Sequence, residues 1–389
     1  MLKNKMRLYR GLLALLAAVV LFGGANAAMG LLAAATPGEQ FVINSDGVIM
    51  EYVVANDQYA AYKHIVIPAT VQGITVKAIG EGAFQEKKIK SVTFPGTLER
   101  IEKRAFYNNS IESLLFPADL QEIGAEAFAL NQVSALTLPE GLDTVGESAF
   151  SGNKLSAVAL PEGIANYGGW IFQYNLIEEV RLPADMREIP QGIFSDNKLS
   201  SIAWPADVTH IGAAAFAYNQ FVALELPSTL IAIGDSAFEQ NELSQVAWPE
   251  GLQTIGSCAF RGNELIELDL PDSLTELGDR AYANNQISEL TLPQGLADHI
   301  GEYAFRQNRL EYVYEPVHEG EGEVRGKALP YARIAVSDKT GQELGRAQAD
   351  GKGVFRVVLA GGRQAGADER FYVAVQGGDR TAIQAISKN

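Results

Sequence analysis

The chain has 389 residues, of which 47% are hydrophobic and 20% charged, so it can bury a large core and is not a disordered acidic tail. Its 31 basic and 47 acidic side chains give a net charge of −16, which argues against general binding to nucleic acid or to anionic membranes. Cys258 is the only cysteine, which excludes disulfide frameworks and cysteine-rich zinc sites.

The amino terminus has the pattern of an export signal. Basic residues precede the apolar run 11–22, and Ala25-Asn26-Ala27 then supplies the small-x-small pattern that signal peptidase recognises. A cut as late as residue 35 and an uncleaved membrane anchor are the alternatives, since the stretch 11–35 could just span a bilayer. We therefore predict a signal peptide over residues 1–27, no other membrane contact, and a protein that is secreted or held at a bacterial cell surface.

Residues 37–78 are predicted to form an amino-terminal cap on a repeat region that begins after them. Apolar and polar residues alternate around Asn44-Ser45-Asp46-Gly47, a turn sequence that predicts a hairpin.

From Phe84 onward the chain repeats itself with a period of 22 residues. One aromatic residue, called the repeat aromatic below, marks each of eleven copies. A proline follows it by eleven residues, and an asparagine follows it by three residues in ten of the copies. The repeat aromatics are Phe84, Phe106, Phe128, Phe150, Phe172, Phe194, Phe216, Phe238, Phe260, Tyr282 and Phe305.

The residues of one copy, 133–154, predict its local structure. Leu136 and Leu138 alternate with smaller or polar residues, which favours a short strand, and Pro139 ends it because proline lacks the N–H that a sheet ladder needs. Asn153 is expected to bond main-chain groups and to build an asparagine ladder. One unit cannot bury its apolar face, whereas stacked units share one core. The repeat therefore predicts an α/β-type repeat solenoid, mostly β, over residues 79–316.

The recurring motifs L-P and I-G-x-x-A-F resemble those of the bacterial BspA-like leucine-rich repeat surface proteins. The similarity covers residues 41–316 and implies a leucine-rich repeat solenoid of eleven 22-residue turns. Two successive turns depart from the pattern. In the first, Tyr167 and Ile171 replace the isoleucine and the alanine. In the second, Pro190 and Ile193 replace the glycine and the alanine.

Beyond residue 316 the periodicity ends. Residues 317–323 are rich in glycine and glutamate and predict a linker with little that could pack. Residues 324–389 resemble a bacterial Ig-like module, which implies a small all-β sandwich. Its strands are predicted at 333–337, 343–348, 354–359 and 371–376.

No catalytic constellation stands out in the sequence. It contains no G-x-S-x-G, no phosphate-binding glycine loop and no H-E-x-x-H. His210 and His299 lie four copies apart, so they cannot share one metal ion, and both are expected at the surface. We therefore predict no catalytic, cofactor-binding or metal-binding residues, no cofactor, and a protein that is not an enzyme.

The candidate partner-binding residues are three aromatics of the first irregular turn, Trp170, Tyr174 and Tyr167. In other copies the position of Trp170 holds residues as different as glycine, arginine and serine, a mixture that only a largely solvent-facing site accepts. Tyr174 is also at a variable position, so the turn could present aromatics to an extracellular protein or glycan. The alternative is that the turn has repacked around Trp170. Cys258 shares the variable position and is expected to be a partly accessible free thiol without an inferred role.

Other positions are predicted from the same alignment of copies. Trp204 and Trp248 precede the repeat proline, where most copies hold leucine, and are expected to be shielded in the core, unlike Trp170. Glu239, one residue after a repeat aromatic, is expected at the surface.

The resemblance implies an exported, adhesin-like binding protein that uses its solenoid for protein–protein interaction. The alternatives are a glycan or cell-wall recognition module and a structural envelope protein without a specific ligand. We expect a monomer whose partner is an unidentified extracellular protein or glycan, and no nucleic-acid partner.

Overall fold

The computed structural model describes residues 36–53, 63–296, 299–309, 313–314, 317, 320–366, 370–375 and 381–384. The predicted signal peptide lies outside the described residues. The chain divides into two compact units, Met1–Asp185 and Met186–Asn389. Apart from the short 3-10 helices Gly38–Gln40, Gln294–Leu296 and Ala360–Gly362, the regular structure of the described residues is β-strand. No helix in this part of the chain is long and apolar enough to cross a membrane.

A hairpin precedes the repeats of the first unit, as the sequence predicts. Strands Phe41–Ile43 and Val48–Tyr52 pair antiparallel, and Asn44 Oδ1 accepts two backbone N–H groups of the turn at 3.0 Å each. Val48–Tyr52 also pairs in parallel with Ala78–Ile79, the first short strand of the repeats. The hairpin therefore covers the open edge of the repeat sheet.

Each turn of the first unit supplies two short strands. Thr144 pairs with Glu122 one turn before it and with Asn166 one turn after it, so the register equals the 22-residue period. The two-residue strands form one parallel sheet and are Ala78–Ile79, Arg100–Ile101, Glu122–Ile123, Thr144–Val145 and Asn166–Tyr167. The three-residue strands pair two by two and are His64–Val66, Ser91–Thr93, Ser113–Leu115, Ala135–Thr137, Ala157–Ala159 and Glu179–Arg181. A further hairpin joins Thr70–Val71 to Ile74–Thr75.

The second unit repeats this plan. Its two-residue strands form a parallel sheet of Glu188–Ile189, His210–Ile211, Ala232–Ile233, Thr254–Ile255 and Glu276–Leu277. Its three-residue strands are Ala223–Glu225, Gln245–Ala247, Glu267–Asp269 and Glu289–Thr291. Both units are thus built from β-solenoid turns, which confirms the predicted fold class.

The repeat aromatics form the centre of the core in both units. All are buried, and each ring stacks on the ring of the next turn within its unit. Centroid distances range from 4.7 Å for Phe84 and Phe106 to 6.0 Å for Phe194 and Phe216. Because neighbouring strands lie about 4.8 Å apart, the parallel ladders bring successive rings into contact.

The repeat asparagines form the predicted ladder. Asn153 Nδ2 donates to the carbonyl oxygens of Phe128 and Phe150 at 2.9 and 3.0 Å, and its Oδ1 accepts the N–H of Val133 at 3.0 Å. Each such side chain bonds the backbone of two successive turns and satisfies groups that have no main-chain partner. The same pattern recurs at Asn109, Asn131, Asn175, Asn241, Asn263, Asn285 and Asn308.

Two positions of every turn have a left-handed backbone, the second residue before and the second residue after the repeat aromatic. In the turn of Phe150 they are Ser148, with φ of +55°, and Gly152, with φ of +69°. This conformation costs a residue with a Cβ about 1–2 kcal/mol. Here it aligns the N–H groups of Ser148, Phe150 and Gly152 with carbonyl oxygens of the next turn, each at 2.9 Å. The ladder offsets the conformational cost.

The carboxyl-terminal part of the second unit, called the C-terminal module below, has two antiparallel sheets. One contains Val313–Tyr314, Glu323–Lys327 and Val354–Val358, and the other Glu343–Gln348, Arg333–Ser337, Arg370–Val375 and Thr381–Gln384. The four strands predicted from the sequence agree with these to within one residue. Val336, Phe355 and Phe371 are buried in one shared core, as a β-sandwich requires.

The predicted linker, residues 317–323, is held against the C-terminal module. Val317 is 3% exposed and belongs to the core of the module. Gly320 N–H donates to the carbonyl of Ala365 at 2.9 Å, and Ala365 N–H donates to the carbonyl of Glu321 at 2.7 Å. The composition indicated a free segment, but backbone hydrogen bonds of this kind need no large side chain, so the described part of the segment is packed.

The boundary of the repeats also differs from the sequence prediction. Val313–Tyr314, assigned to the last repeat, pairs antiparallel with Glu323–Lys327 of the module. The module is bonded to the repeats as well, since Tyr331 donates its hydroxyl to the carbonyl of Leu292 at 3.1 Å and Leu292 N–H donates to the carbonyl of Gly351 at 3.2 Å.

A turn-edge patch as the candidate functional site

Trp170 and Tyr174 occupy the two left-handed positions of the turn around Phe172, with φ of +59° and +56°. None of the side chains at these two positions in the first unit is buried, so the positions form an accessible turn edge. The backbone beneath them belongs to the inter-turn ladder and is held from both sides. Side chains at the turn edge therefore stand on a rigid support.

Tyr174 belongs to a group of apolar side chains, called the turn-edge patch below, that comprises Leu130, Trp170, Tyr174 and Leu176. Tyr174 is 59% exposed, Leu130 47% and Leu176 42%. Gly152 lies between Leu130 and Tyr174 in the column of left-handed positions, and Leu130 Cδ2 is only 2.7 Å from where a Cβ on Gly152 would stand. Because Gly152 has no side chain, Leu130 extends across that turn toward Tyr174. The patch thus spans two turn spacings, about 10 Å.

Leu130 and Leu176 are absent from the predicted site, although the sequence contains a signal for them. Leu130 stands two residues after a repeat aromatic, where other copies hold mainly polar or charged residues. Leu176 stands four residues after one, where the other copies hold lysine, serine, glutamine, glutamate or arginine. A leucine in an otherwise polar column marks an exposed apolar residue.

Trp170 is half-buried, and the predicted contrast among the tryptophans is wrong. Trp204 and Trp248, expected to be shielded, are half-buried too. Their rings pack edge-on against Phe216 and Phe260, and Trp204 Nε1 donates to a main-chain carbonyl at 2.8 Å. An indole is larger than the leucine it replaces, so part of the ring extends beyond the core.

Tyr167 does not share the character of the patch. It replaces an inward isoleucine, and its buried hydroxyl has no hydrogen-bond partner within the described residues. Burial, together with the nearby carboxylates of Asp185 and Glu162, raises the pKa of Tyr167 above its usual range. Its hydroxyl is not available to a partner, and the structure gives no support to Tyr167 as a binding residue. Ile171 is also fully buried, so the inward half of this turn has repacked.

Glu239, expected at the surface, is buried at 6% exposure. Its carboxylate forms an ion pair with Arg261, at the same position one turn later, and Arg261 Nε lies 2.7 Å from Glu239 Oε1. The stacking of equivalent positions places the two side chains side by side, and the arginine covers the carboxylate.

A polar groove of about 490 Å³ lies at a different place on the first unit. An ion pair at its wall joins Lys77 Nζ and Glu99 Oε1 at 3.4 Å. The groove offers hydroxyl, amide and carboxylate groups, which can bond sugar hydroxyls. It is lined by Thr75, Lys77, Thr97, Glu99, Ala118, Asp119, Gln121 and Gly141.

Among the residues that the structure describes, no group of three or more His, Cys, Asp and Glu side chains could hold a metal ion. His210 is exposed, and its Nδ1 lies 2.9 Å from Thr209 Oγ1. Cys258 is a half-buried free thiol, and burial raises its pKa, which disfavours the reactive thiolate. That the protein is not an enzyme stays a prediction.

Comparison with known proteins identifies the repeats. The family model described as "BspA type Leucine rich repeat region (6 copies)" matches residues 57–176, 101–223 and 209–318. Comparison with curated protein sequences gives no significant match.

Solved structures share the fold. The pneumococcal vaccine antigen PcpA is 25% identical, with a TM-score of 0.51 over 64% of this chain and 67% of that chain. A leucine-rich repeat protein from Bacteroides ovatus is 21% identical, with a TM-score of 0.40 over 68% and 89% of the two chains. A leucine-rich cell surface protein from Faecalibacterium prausnitzii is 19% identical, with a TM-score of 0.39 over 67% and 90%. With the family model matching well over half of its length, the chain belongs to the BspA-type leucine-rich repeat family.

Proposed function

We propose that the chain is an exported bacterial surface protein that binds an extracellular protein through the turn-edge patch. The amino-terminal sequence supports export. The pneumococcal relative is described as a vaccine antigen, and such an antigen has to be accessible outside the cell.

The turn-edge patch is the observation that carries this proposal. Tyr174, Leu130 and Leu176 are each more than 40% exposed, and a contiguous exposed apolar surface is typical of protein interaction sites. Tyrosine is among the residues that contribute most to binding when they lie at the centre of an interface. The backbone beneath the patch is bonded to neighbouring turns, so binding orders only side chains and costs little conformational entropy.

The test begins with the full-length protein on arrays of extracellular proteins, followed by affinity measurements on each partner found. Tyr174→Ala should weaken binding by about 2 kcal/mol, close to thirtyfold. The matched control is Tyr218→Ala, since Tyr218 occupies the equivalent position of the second unit with the same φ of +56° and 50% exposure. Equal losses in both variants, or unchanged affinity after Tyr174→Ala, would contradict the assignment of the patch.

Glycan recognition is the second candidate function, and the polar groove of the first unit favours it. Binding to a glycan array that is lost in Gln121→Ala and kept in Tyr174→Ala would identify the groove as the functional site. A protein that binds neither array would instead have a structural role in the envelope.

A further inference from the structure

Two arginines of the second unit converge on one exposed tyrosine. Tyr303 occupies a left-handed position in the turn of Phe305, with φ of +59° and 43% exposure. The guanidinium carbon of Arg280 lies 5.7 Å from the Tyr303 ring centroid, and that of Arg306 lies 5.4 Å from it. Both distances are in the range of a cation–π interaction.

Arg280 has a repeat equivalent in the first unit, Arg104, whose guanidinium is paired with a carboxylate. Arg104 Nε and Nη2 donate to the two carboxylate oxygens of Glu126 at 3.0 and 2.9 Å. Glu126 stands at the same position one turn later, where the turn after Arg280 has Tyr303. A ring contacts the face of a guanidinium and leaves the N–H donors in its plane free.

Arg306 has lost its carboxylate in the same way. Its repeat equivalent, Arg261, pairs with Glu239 at the same position one turn earlier, whereas that position before Arg306 holds Ala283. Within the described residues, neither Arg280 nor Arg306 has a carboxylate at ion-pair distance. Two guanidiniums are therefore positioned by a ring rather than by a carboxylate.

The surrounding charge restricts what these donors can bind. Asp279 and Glu302 adjoin the arginines and the tyrosine in sequence, and Asp279 Oδ1 accepts the backbone N–H of Glu302 at 2.7 Å. The whole chain carries a net charge of −16, so a long polyanion or an anionic membrane meets repulsion from the rest of the surface. A compact anion beside Tyr303 lies within about one Debye length, ~8 Å, of both guanidiniums.

We propose that Arg280, Tyr303 and Arg306 form a binding site for a single phosphate or sulfate monoester group. The planar guanidinium donates pairs of parallel hydrogen bonds to such oxyanions, which makes arginine the preferred residue for recognising them. Tyr303 holds both guanidiniums near one point and so reduces the entropy lost when the anion binds. The site is separate from the turn-edge patch and does not depend on the proposed function.

The test is calorimetric titration of the full chain with glucose 6-phosphate, inorganic phosphate and inorganic sulfate, each in a buffer free of competing oxyanions. Arg280→Gln should weaken binding about tenfold or more, because one charge-assisted hydrogen-bond pair is lost. Arg104→Gln is the matched control, since it removes the same charge at the equivalent repeat position, and it should leave binding unchanged. Tyr303→Leu keeps both charges and should weaken binding by a smaller factor. Thermal melts of each variant check that the fold is intact.

The three anions separate the possible sources of the group. Tighter binding of glucose 6-phosphate than of the free ions supports an ester on a sugar, and equal binding of all three supports recognition of the oxyanion alone. The proposal is overturned by the absence of saturable binding, by equal losses in Arg280→Gln and Arg104→Gln, or by binding that is confined to dextran sulfate or to phosphatidylglycerol vesicles.

Discussion

The repeat asparagines and the turn aspartates of the C-terminal module perform the same task in different surroundings. Asn153 bonds one N–H and several carbonyl groups at 7% exposure. Asp338 Oδ1 accepts the N–H groups of Thr340 and Gln342 and the hydroxyl of Thr340, in an exposed turn. Water can replace Asp338 but cannot reach the partners of Asn153. The comparison teaches that burial, rather than the number of bonds, decides what such a side chain contributes to stability.

Asn153→Ala should have the largest effect. The substitution leaves the N–H of Val133 and the carbonyl of Phe128 buried without their side-chain partner, and each such group costs about 1–3 kcal/mol. We expect the free energy of unfolding to fall by about 4 kcal/mol in urea denaturation. The control is Asn166→Ala, an exposed asparagine with one bond of 3.3 Å to Thr144 Oγ1, which should change it by less than about 0.5 kcal/mol. Similar losses in both variants would break the comparison.

Two glutamates test whether burial also decides the contribution of an ion pair between turns. The Glu239 side chain is 7% exposed and pairs with Arg261, whereas the Glu126 side chain is 26% exposed and pairs with Arg104. Glu239→Ala should lower the free energy of unfolding by about 2 kcal/mol, and Glu126→Ala by about 0.5 kcal/mol. Chemical denaturation of the two variants side by side measures the difference. If Glu126→Ala cost as much as Glu239→Ala, exposure would not be the deciding variable.

Asp338→Asn should have the smallest effect, visible mainly as a change in pH dependence. The Thr340 hydroxyl, followed by backbone N–H groups, lowers the pKa of Asp338. A carboxyl with a lowered pKa in the folded state stabilises the fold above its unfolded pKa of about 4, and this stabilisation is lost as the pH falls through the folded pKa. Thermal melts from about pH 5 to pH 2 should therefore show a steeper decline for the natural protein than for Asp338→Asn. Parallel declines would show that Asp338 contributes nothing through its charge.

The inward positions of the repeats could be predicted from the sequence. Each repeat aromatic and each repeat asparagine lies between equivalent residues of the neighbouring turns, so the same packing problem recurs every 22 residues and selects the same residue type. The repeat glycine is constrained likewise, because a Cβ on Gly146 would lie 2.4 Å from the backbone nitrogen of Ala125. Recurrence of a residue therefore revealed its structural role.

The outward positions could be predicted only in part. Tyr174 is exposed as expected, but the average over a column concealed Glu239, which is buried because Arg261 covers it. What decides such a position is its neighbour 22 residues away, and that neighbour differs from copy to copy. Comparing outward residues in pairs at this spacing finds both Glu239 with Arg261 and the tyrosine beside Arg280.

The predicted linker shows a different limit of composition. Glycine and glutamate are typical of unpacked segments, yet Gly320 and Glu321 bond the backbone of Ala365. Only the partner strand, about forty residues away in sequence, determines this contact, and no local pattern encodes it.

The left-handed backbone at two positions of every turn limits which side chains the turn edge can display. Branching at Cβ is poorly tolerated in this conformation, and no valine, isoleucine or threonine is found among the described left-handed residues. Tyr174 and Tyr303 both stand at such positions. The turn edge is thus a grid with rows about 4.8 Å apart that accepts almost any unbranched side chain without disturbing the core. New binding specificities can arise there by single substitutions, and a designed library would diversify these columns while omitting the β-branched residues.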